Sequence, residues 1–346
     1  MWKRLTNVLL ALLVGMAGGF AFHYLRVPLP WTLGSLFATA VAVMLGRAWL
    51  MPVSFRNIAR PLVGVLAGSA FSPIVVAALF EAWQVILYVA SYSVLISGIG
   101  FVLFRKSWKY DRVTSFFAST PGGLSELILI GSQLGGNMRT LVVVHTIRIV
   151  MVVFTVPFVI QLLTHVDLSG PAPVYQSQST MSVADWLIIG ACCAAGYVAA
   201  THLRIQGGAM IAALVASAIA HALGWTEAVP PQWLVAAVQV VIGASAGARF
   251  AGMKWLEVQV ALIHATIWAA SMLGVAALMA LIGSALFDRT FSALLLAMSP
   301  GGLPEMTIVT YALGIDVAFV VTCHVCRVLM VLLAGPGIGS WVSRRS

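Results

Sequence analysis

Apolar residues run along this chain in stretches too long and too uniform for a soluble fold. Residues 5–22, 61–80, 82–104 and 258–287 contain no Asp, Glu, Lys or Arg. About 18–20 apolar residues in a helix cross a hydrocarbon core, so each stretch predicts a membrane span. Turn residues and basic loops divide the rest. Spans are expected near 5–24, 31–46, 61–80, 82–104 and 140–163, then near 184–201, 208–224, 233–248, 258–283 and 317–337. Two further apolar segments, 113–136 and 291–313, are interrupted by Pro and Gly. The polar stretch 164–183 is rich in Ser, Pro and Gln and lacks Lys and Arg, which reads as an exposed connection on the outer side.

The two interrupted segments are copies of each other. One reads Thr120-Pro121-Gly122-Gly123-Leu124-Ser125-Glu126, followed by His145, Arg148 and Pro157. The other reads Ser299-Pro300-Gly301-Gly302-Leu303-Pro304-Glu305, followed by His324, Arg327 and Pro336. Every pair is offset by 179, with no gap across 120–157 and 299–336. The shared residues include Leu134-Gly135 with Leu313-Gly314, and Met151-Val152 with Met330-Val331. A fixed-period repeat governs the reading of everything else, so the chain divides into a first membrane repeat, 1–163, the linker 164–183, and a second repeat, 184–346. Gly64 and Gly68, a small-xxx-small pair suited to close helix packing, recur as Gly243 and Gly247. The basic start Lys3-Arg4 followed by 5–22 has the look of a signal peptide. Its internal counterpart at 186–200 instead predicts a retained span.

Charge bears on how the copies sit. If the Pro-Gly-Gly segment dips in and returns, each copy has five crossings and the two are inverted. Fourteen basic residues, Arg47, Arg56, Arg60, Arg105 and Arg112 among them, then face the cytoplasm, while Arg26 and Arg289 face out. A parallel arrangement puts Arg204, Arg249 and Lys254 outside. The positive-inside rule favours inversion, with both termini cytoplasmic. The expected fold class is therefore an all-α polytopic membrane protein of two inverted repeats, each of about five transmembrane helices plus a broken or re-entrant Pro-Gly-Gly segment.

Composition strengthens the lipid assignment. The chain is 61% hydrophobic and 8% charged, whereas a soluble domain is about a quarter charged. The net charge of +9 reads as a topology signal rather than a nucleic-acid footprint, because the basic residues sit singly or in short loops. Cys192, Cys193, Cys323 and Cys326 all fall in apolar segments and read as packing residues. Cys323, His324 and Cys326 cluster, but the first copy has Val144 and Ile147 at the cysteine positions, and three ligands within four residues do not close a tetrahedral site. No metal and no cofactor are expected.

Candidate chemistry concentrates at the repeated motif. Gly costs about 1 kcal/mol and Pro about 3 relative to Ala inside a helix, so Pro-Gly-Gly predicts a break. Irregular backbone at membrane depth must be buried in protein or line a cavity. Thr120 and Ser299 are expected as N-caps with Pro121 and Pro300 in the first helical position. Half-helices starting there would aim N–H groups and a positive dipole end at the break, an anion site. Glu126 and Glu305 are intramembrane carboxylates that need a partner. His145 and Arg148, like His324 and Arg327, are three apart and share a helix face. Glu and Arg are expected to compensate each other, with the His able to titrate. The candidate substrate site is thus Pro121, Gly122, Gly123, Glu126, His145, Arg148, Pro300, Gly301, Gly302, Glu305, His324 and Arg327.

On these paired Pro-Gly-Gly-Leu-x-Glu and His-x-x-Arg motifs, and on Arg26-Val27-Pro28-Leu29-Pro30-Trp31 at the second span, the chain resembles the bacterial AbrB-duplication family of membrane proteins. The small soluble DNA-binding protein of the same name is a different molecule. The resemblance covers nearly the whole chain, although the second copy reads Arg204-Ile205-Gln206-Gly207-Gly208 at the Arg-Val-Pro position. It implies the family's labels of ammonia monooxygenase and of regulator of the aidB gene, and a likeness of some relatives to amino-acid importers. Inverted repeats, broken helices and midplane charges favour an inner-membrane secondary transporter of an organic anion or amino acid, coupled to protons or sodium. A monooxygenase would need a duplicated metal site. A regulator would need a cytoplasmic domain, or would act indirectly through transport. The expected partners are the lipid bilayer and a small solute, with a homodimer left open and nucleic acid excluded.

Overall fold

The computed structural model describes all residues except 1, 26, 28, 48, 50–52, 123, 165–180, 204–207, 253–254 and 345–346. Among the described residues every regular element is helical. The helices are α1 (Trp2–Tyr24), α2 (Pro30–Met44), α3 (Val53–Gly68), α4 (Pro73–Glu81), α5 (Trp83–Val102), α6 (Arg112–Ser119), α7 (Leu124–Gln133) and α8 (Met138–Thr164). They continue with α9 (Val183–Leu203), α10 (Gly208–Ala222), α11 (Gln232–Gly247), α12 (Trp255–Leu286), α13 (Phe291–Met298), α14 (Leu303–Leu313) and α15 (Val317–Ser343). Among the described residues six helical stretches are long and apolar enough to cross a bilayer, which makes this a multi-pass, membrane-type helical protein. Most of the polar stretch at 164–183 lies outside the described residues.

Local chemistry sets the helix ends. Asp111 caps α6 by accepting from the Thr114 N–H at 2.7 Å, and Thr290 caps α13 by accepting from Ala293 at 3.2 Å. The repeated Leu-Gly pair is a helix stop. Gly135 and Gly314 adopt φ of 94° and 64°, a left-handed geometry that suits Gly. The next residues close the turn, Gly136 N to Gly131 O at 2.8 Å and Ile315 N to Thr310 O at 3.3 Å.

Among the described residues four of the ten expected spans differ: those near 31–46, 184–201 and 208–224 are shorter apolar helices, Pro30–Met44, Val183–Ala199 and Ala209–Ala222, and the fourth is bent. The stretch 61–80 is not a single helix, because α3 ends at Gly68 and α4 restarts at Pro73 with a bend of 79°. The cause is local. Ser72 accepts from the Val75 N–H at 3.3 Å, and Pro73, without an N–H, opens the new helix. At the end of α3, Ser69 pairs with the Tyr311 hydroxyl at 2.7 Å.

The chain forms two compact units, 1–77 with 157–253 and 307–318, and 78–156 with 254–306 and 319–346. Each unit draws on both halves of the sequence. In the first, α1 packs on α2 and α9 on α10, while α3 packs on α10 and α11 on α2. Glycines permit the close approach. Gly64 and Gly68 lie against the carbonyls of Met210 and Leu214, and Gly243 and Gly247 against those of Thr32 and Leu36. In the second unit α5 lies against α12. Tyr88 donates to Met279 O at 2.8 Å and Tyr92 to Met272 O at 3.0 Å, and the buried rings of Phe104 and Trp268 meet edge-on at 5.8 Å.

The glycine contacts are testable by thermal unfolding in detergent. Gly64→Val and Gly243→Val should each destabilise the protein by about 1–3 kcal/mol, the range for overpacking a filled interface. Gly190→Ala and Gly274→Ala, where an added methyl meets nothing within 4 Å, should be neutral or slightly stabilising. Equal effects at all four positions would contradict the packing.

Candidate functional site

Of the twelve candidate residues, the eleven other than Gly123 belong to the second compact unit. The first break begins where α6 stops. The residue before a proline is driven out of the helical region, and Thr120 accordingly has ψ 124°. Ser299, before Pro300, has ψ 129° and ends α13 the same way. Their hydroxyls turn back onto the helices they terminate, Thr120 Oγ1 donating to Phe116 O at 2.8 Å and Ser299 Oγ to Leu295 O at 2.6 Å. This corrects the N-cap expectation for both residues. The following helices begin at Leu124 and Leu303, beyond the two glycines.

The arginines meet the carbonyls that the helix ends leave open. From α8, Arg148 donates Nη1 to Thr120 O at 3.3 Å and Nη2 to Gly122 O at 2.9 Å. From α15, Arg327 donates Nη1 to Ser299 O at 2.9 Å and Nη2 to Gly301 O at 3.0 Å. The end of a helix lacks intrahelical donors and carries its negative dipole end, and Gly122 and Gly301 lie beyond it in the connections to α7 and α14, so each fork spans a C-cap and the segment that follows. Arg148 is 1% exposed and Arg327 is 4% exposed. Arg148 feels the charge of Arg327 and of Glu305. The fork therefore grips backbone.

His324 completes the second arrangement. Arg327 Nη2 lies 2.6 Å from His324 Nδ1, and His324 Nε2 lies 3.0 Å from Leu296 O. Arginine only donates, so Nδ1 accepts and Nε2 carries the proton that reaches Leu296. The imidazole acts as a spacer of fixed tautomer. His145 is fully buried, one turn before Arg148 on α8.

Pro121, Gly122, Pro300 and Gly301 are buried. Gly123 lies outside the described residues, as does the side chain of Glu126, whose backbone is in the first turn of α7. Glu305 is half-buried in the first turn of α14. Its Oε2 folds back over Gly302, so that any side chain at that glycine would collide with it. A carboxylate folded back on a helix start counters the positive dipole end. Gly122 packs against Val331 on α15. A Cβ placed there would stand 2.8 Å from Val331 Cγ1, one turn beyond Arg327.

Tyr92 is a residue the sequence reading missed. It is fully buried on α5, with its hydroxyl donating to Met272 O, and it interacts electrostatically with both Arg148 and Arg327. Nothing in an apolar span marks one tyrosine out, and its repeat position is Ser271. Among the described residues no group of three or more His, Cys, Asp or Glu is placed to hold a metal ion. All four cysteines are free thiols.

Residues 31–343 match the family described as "Transition state regulatory protein AbrB". The chain belongs to this family. Two relatives align along nearly their full length. The Bacillus subtilis (strain 168) protein named "Uncharacterized protein YhjN" is 27% identical over 350 residues, covering 93% of this chain and 90% of the relative. The Escherichia coli (strain K12) protein named "Putative regulator AbrB" is 23% identical over 343 residues, covering 99% and 96%. No solved structure matches the chain. Both relatives match an AbrB-type chain with the membrane composition seen here, not the small DNA-binding protein that shares the name.

Replacing either arginine by methionine keeps an unbranched apolar stem and removes the fork. Arg148→Met and Arg327→Met should each lower stability by about 2–5 kcal/mol, because two buried carbonyls lose their donors. Thermal unfolding in detergent reads this directly. Wild-type stability in either variant would show that the carbonyls are satisfied by other groups.

Proposed function

We propose that this AbrB-family protein is a secondary transporter of a small organic anion or amino acid, with its site at the two Pro-Gly-Gly breaks. The observation that carries the reading is the pair of buried arginines, each anchored at a helix break and held in one compact unit. Polar groups inside a membrane protein are costly and mark solute or ion pathways, and broken helices at the centre of repeated folds supply such sites. Glu126 and Glu305 are the candidate coupling groups, with protons or sodium as the coupling ion.

The inverted-repeat reading is part of the proposal. It is supported by contacts that exchange when the two halves are swapped. Gly64 against Met210 O becomes Gly243 against Thr32 O, and Arg148 on Thr120 O becomes Arg327 on Ser299 O. Charge supports the opposite orientation of the copies, with the loops at 105–112 and 249–257 and both termini on the cytoplasmic face of a bacterial inner membrane. A single cysteine placed near residue 250 should label with an impermeant reagent only from the cytoplasmic side. Labelling from outside would remove the inverted arrangement.

Function is tested by uptake of labelled organic acids and amino acids into proteoliposomes, with and without a pH gradient. At least one solute should accumulate. Glu126→Gln and Glu305→Gln should each abolish its uptake or its dependence on the gradient while the protein still inserts. Wild-type uptake and wild-type gradient dependence in both variants would end the coupling role. Absence of uptake for every solute would end the transport reading.

A further inference from the structure

The two arginines leave the same atom unused. Each commits Nη1 and Nη2 to the carbonyls of its break, and in both the Nε–H is buried without a hydrogen-bond partner among the described residues. Buried polar groups are paired with few exceptions, and a charged donor without an acceptor is strongly disfavoured. Of the buried side-chain atoms left so among the described residues, these two are charged donors at equivalent positions, 179 apart, on arginines that are 1% and 4% exposed.

The two orphaned donors belong to neighbouring groups. Gly122, whose carbonyl holds Arg148, packs on Val331, one turn beyond Arg327 along α15. The charge of Arg327 reaches Arg148, and Tyr92 feels both. Tyr92 has committed its hydroxyl proton to Met272 O, so beside the arginines it offers lone pairs and no donor. Glu305 is folded over Gly302 at the start of α14.

We propose that Arg148 and Arg327 together seat one carboxylate group of a small organic monoanion, each Nε–H donating to one of its two oxygens. This deepens the transport reading and rests on it for the identity of the group as part of the carried solute. Two donors on two different helices match the two oxygens of a carboxylate. A halide offers a single centre, and a phosphate brings further oxygens that require donors of their own. Arginine is needed because the residue does two jobs, holding the break with its fork and the ligand with its remaining edge. Lysine keeps the charge but has one nitrogen and cannot do both.

The probe is acetate. Thermal unfolding of the purified protein in detergent is followed by the fluorescence of its 11 tryptophans, with sodium acetate exchanged for sodium chloride at constant ionic strength. Acetate should raise Tm saturably, as a ligand of the native state does. Arg148→Lys and Arg327→Lys should each weaken the apparent acetate affinity about tenfold, the size expected for one lost hydrogen bond to a charged group. The seat is overturned if acetate gives no saturable shift in the wild type, if chloride serves equally well, or if both Lys variants keep the wild-type affinity. Acetate binding by a protein that carries no solute in proteoliposomes would overturn the transport reading and leave the seat standing. Solute uptake by a protein indifferent to acetate would overturn the seat alone.

Discussion

A guanidinium in an apolar interior persists only when its N–H groups have acceptors. Arg148 and Arg327 find them in the carbonyls that Pro121 and Pro300 prevent from joining a helix. The dependence runs both ways. Without the break there would be no open carbonyls, and without the arginine those carbonyls would be buried and unsatisfied. Thr120 and Ser299 must therefore end their helices, α8 and α15 must present their arginines at those levels, and His324 must accept from Arg327 while donating to Leu296. Most of the motif's residues are accounted for by this mutual satisfaction.

The first compact unit solves a different problem. Helices in lipid gain little from hiding apolar side chains, so they associate by close contact. The glycines of α3 and α11 bring backbone against backbone, and Ser217 adds a bond to Val65 O at 2.9 Å. The halves part company at the end of α3. The pair Ser69 and Tyr311 has no repeat counterpart, since the matching positions are Ala248 and Ser132. The bend between α3 and α4 sits at that unmatched place.

Much of this was legible in the sequence, and the failures are instructive. Long uncharged runs announced most of the long spans, because that signal is local, whereas Leu-Gly was visible only as a repeated pair and the structure makes it the end of α7 and α14. Pro-Gly-Gly marked where a helix stops but not how. Thr120 and Ser299 have the chemistry of N-caps, yet the constraint of the following proline outweighs it and makes them the C-caps of α6 and α13. The bend at 69–72 was hidden because Ser-Pro can begin a helix or sit in one, and the surrounding residues are uniformly apolar. Tyr92 could not be found at all. Its importance comes from what α5 passes, and a sequence does not list neighbours across the fold. Nor did the sequence disclose that both guanidinium forks would hold backbone carbonyls.

The central claim is that the first break lies against the last helix of the second half, beside Arg327. It is tested most directly by cross-linking. In a background with the four native cysteines replaced, cysteines are introduced as Gly122→Cys and Val331→Cys. A Cβ at Gly122 stands 3.4 Å from the Val331 Cβ, and disulfides form at Cβ separations of roughly 3.5–4.5 Å. The pair should oxidise spontaneously in membranes, whereas Gly122→Cys paired with a cysteine on the exposed face of α15 at Leu333 should not. If 122 and 331 stay reduced under oxidants that cross-link other buried pairs, the first break is elsewhere and the arginine-centred account fails.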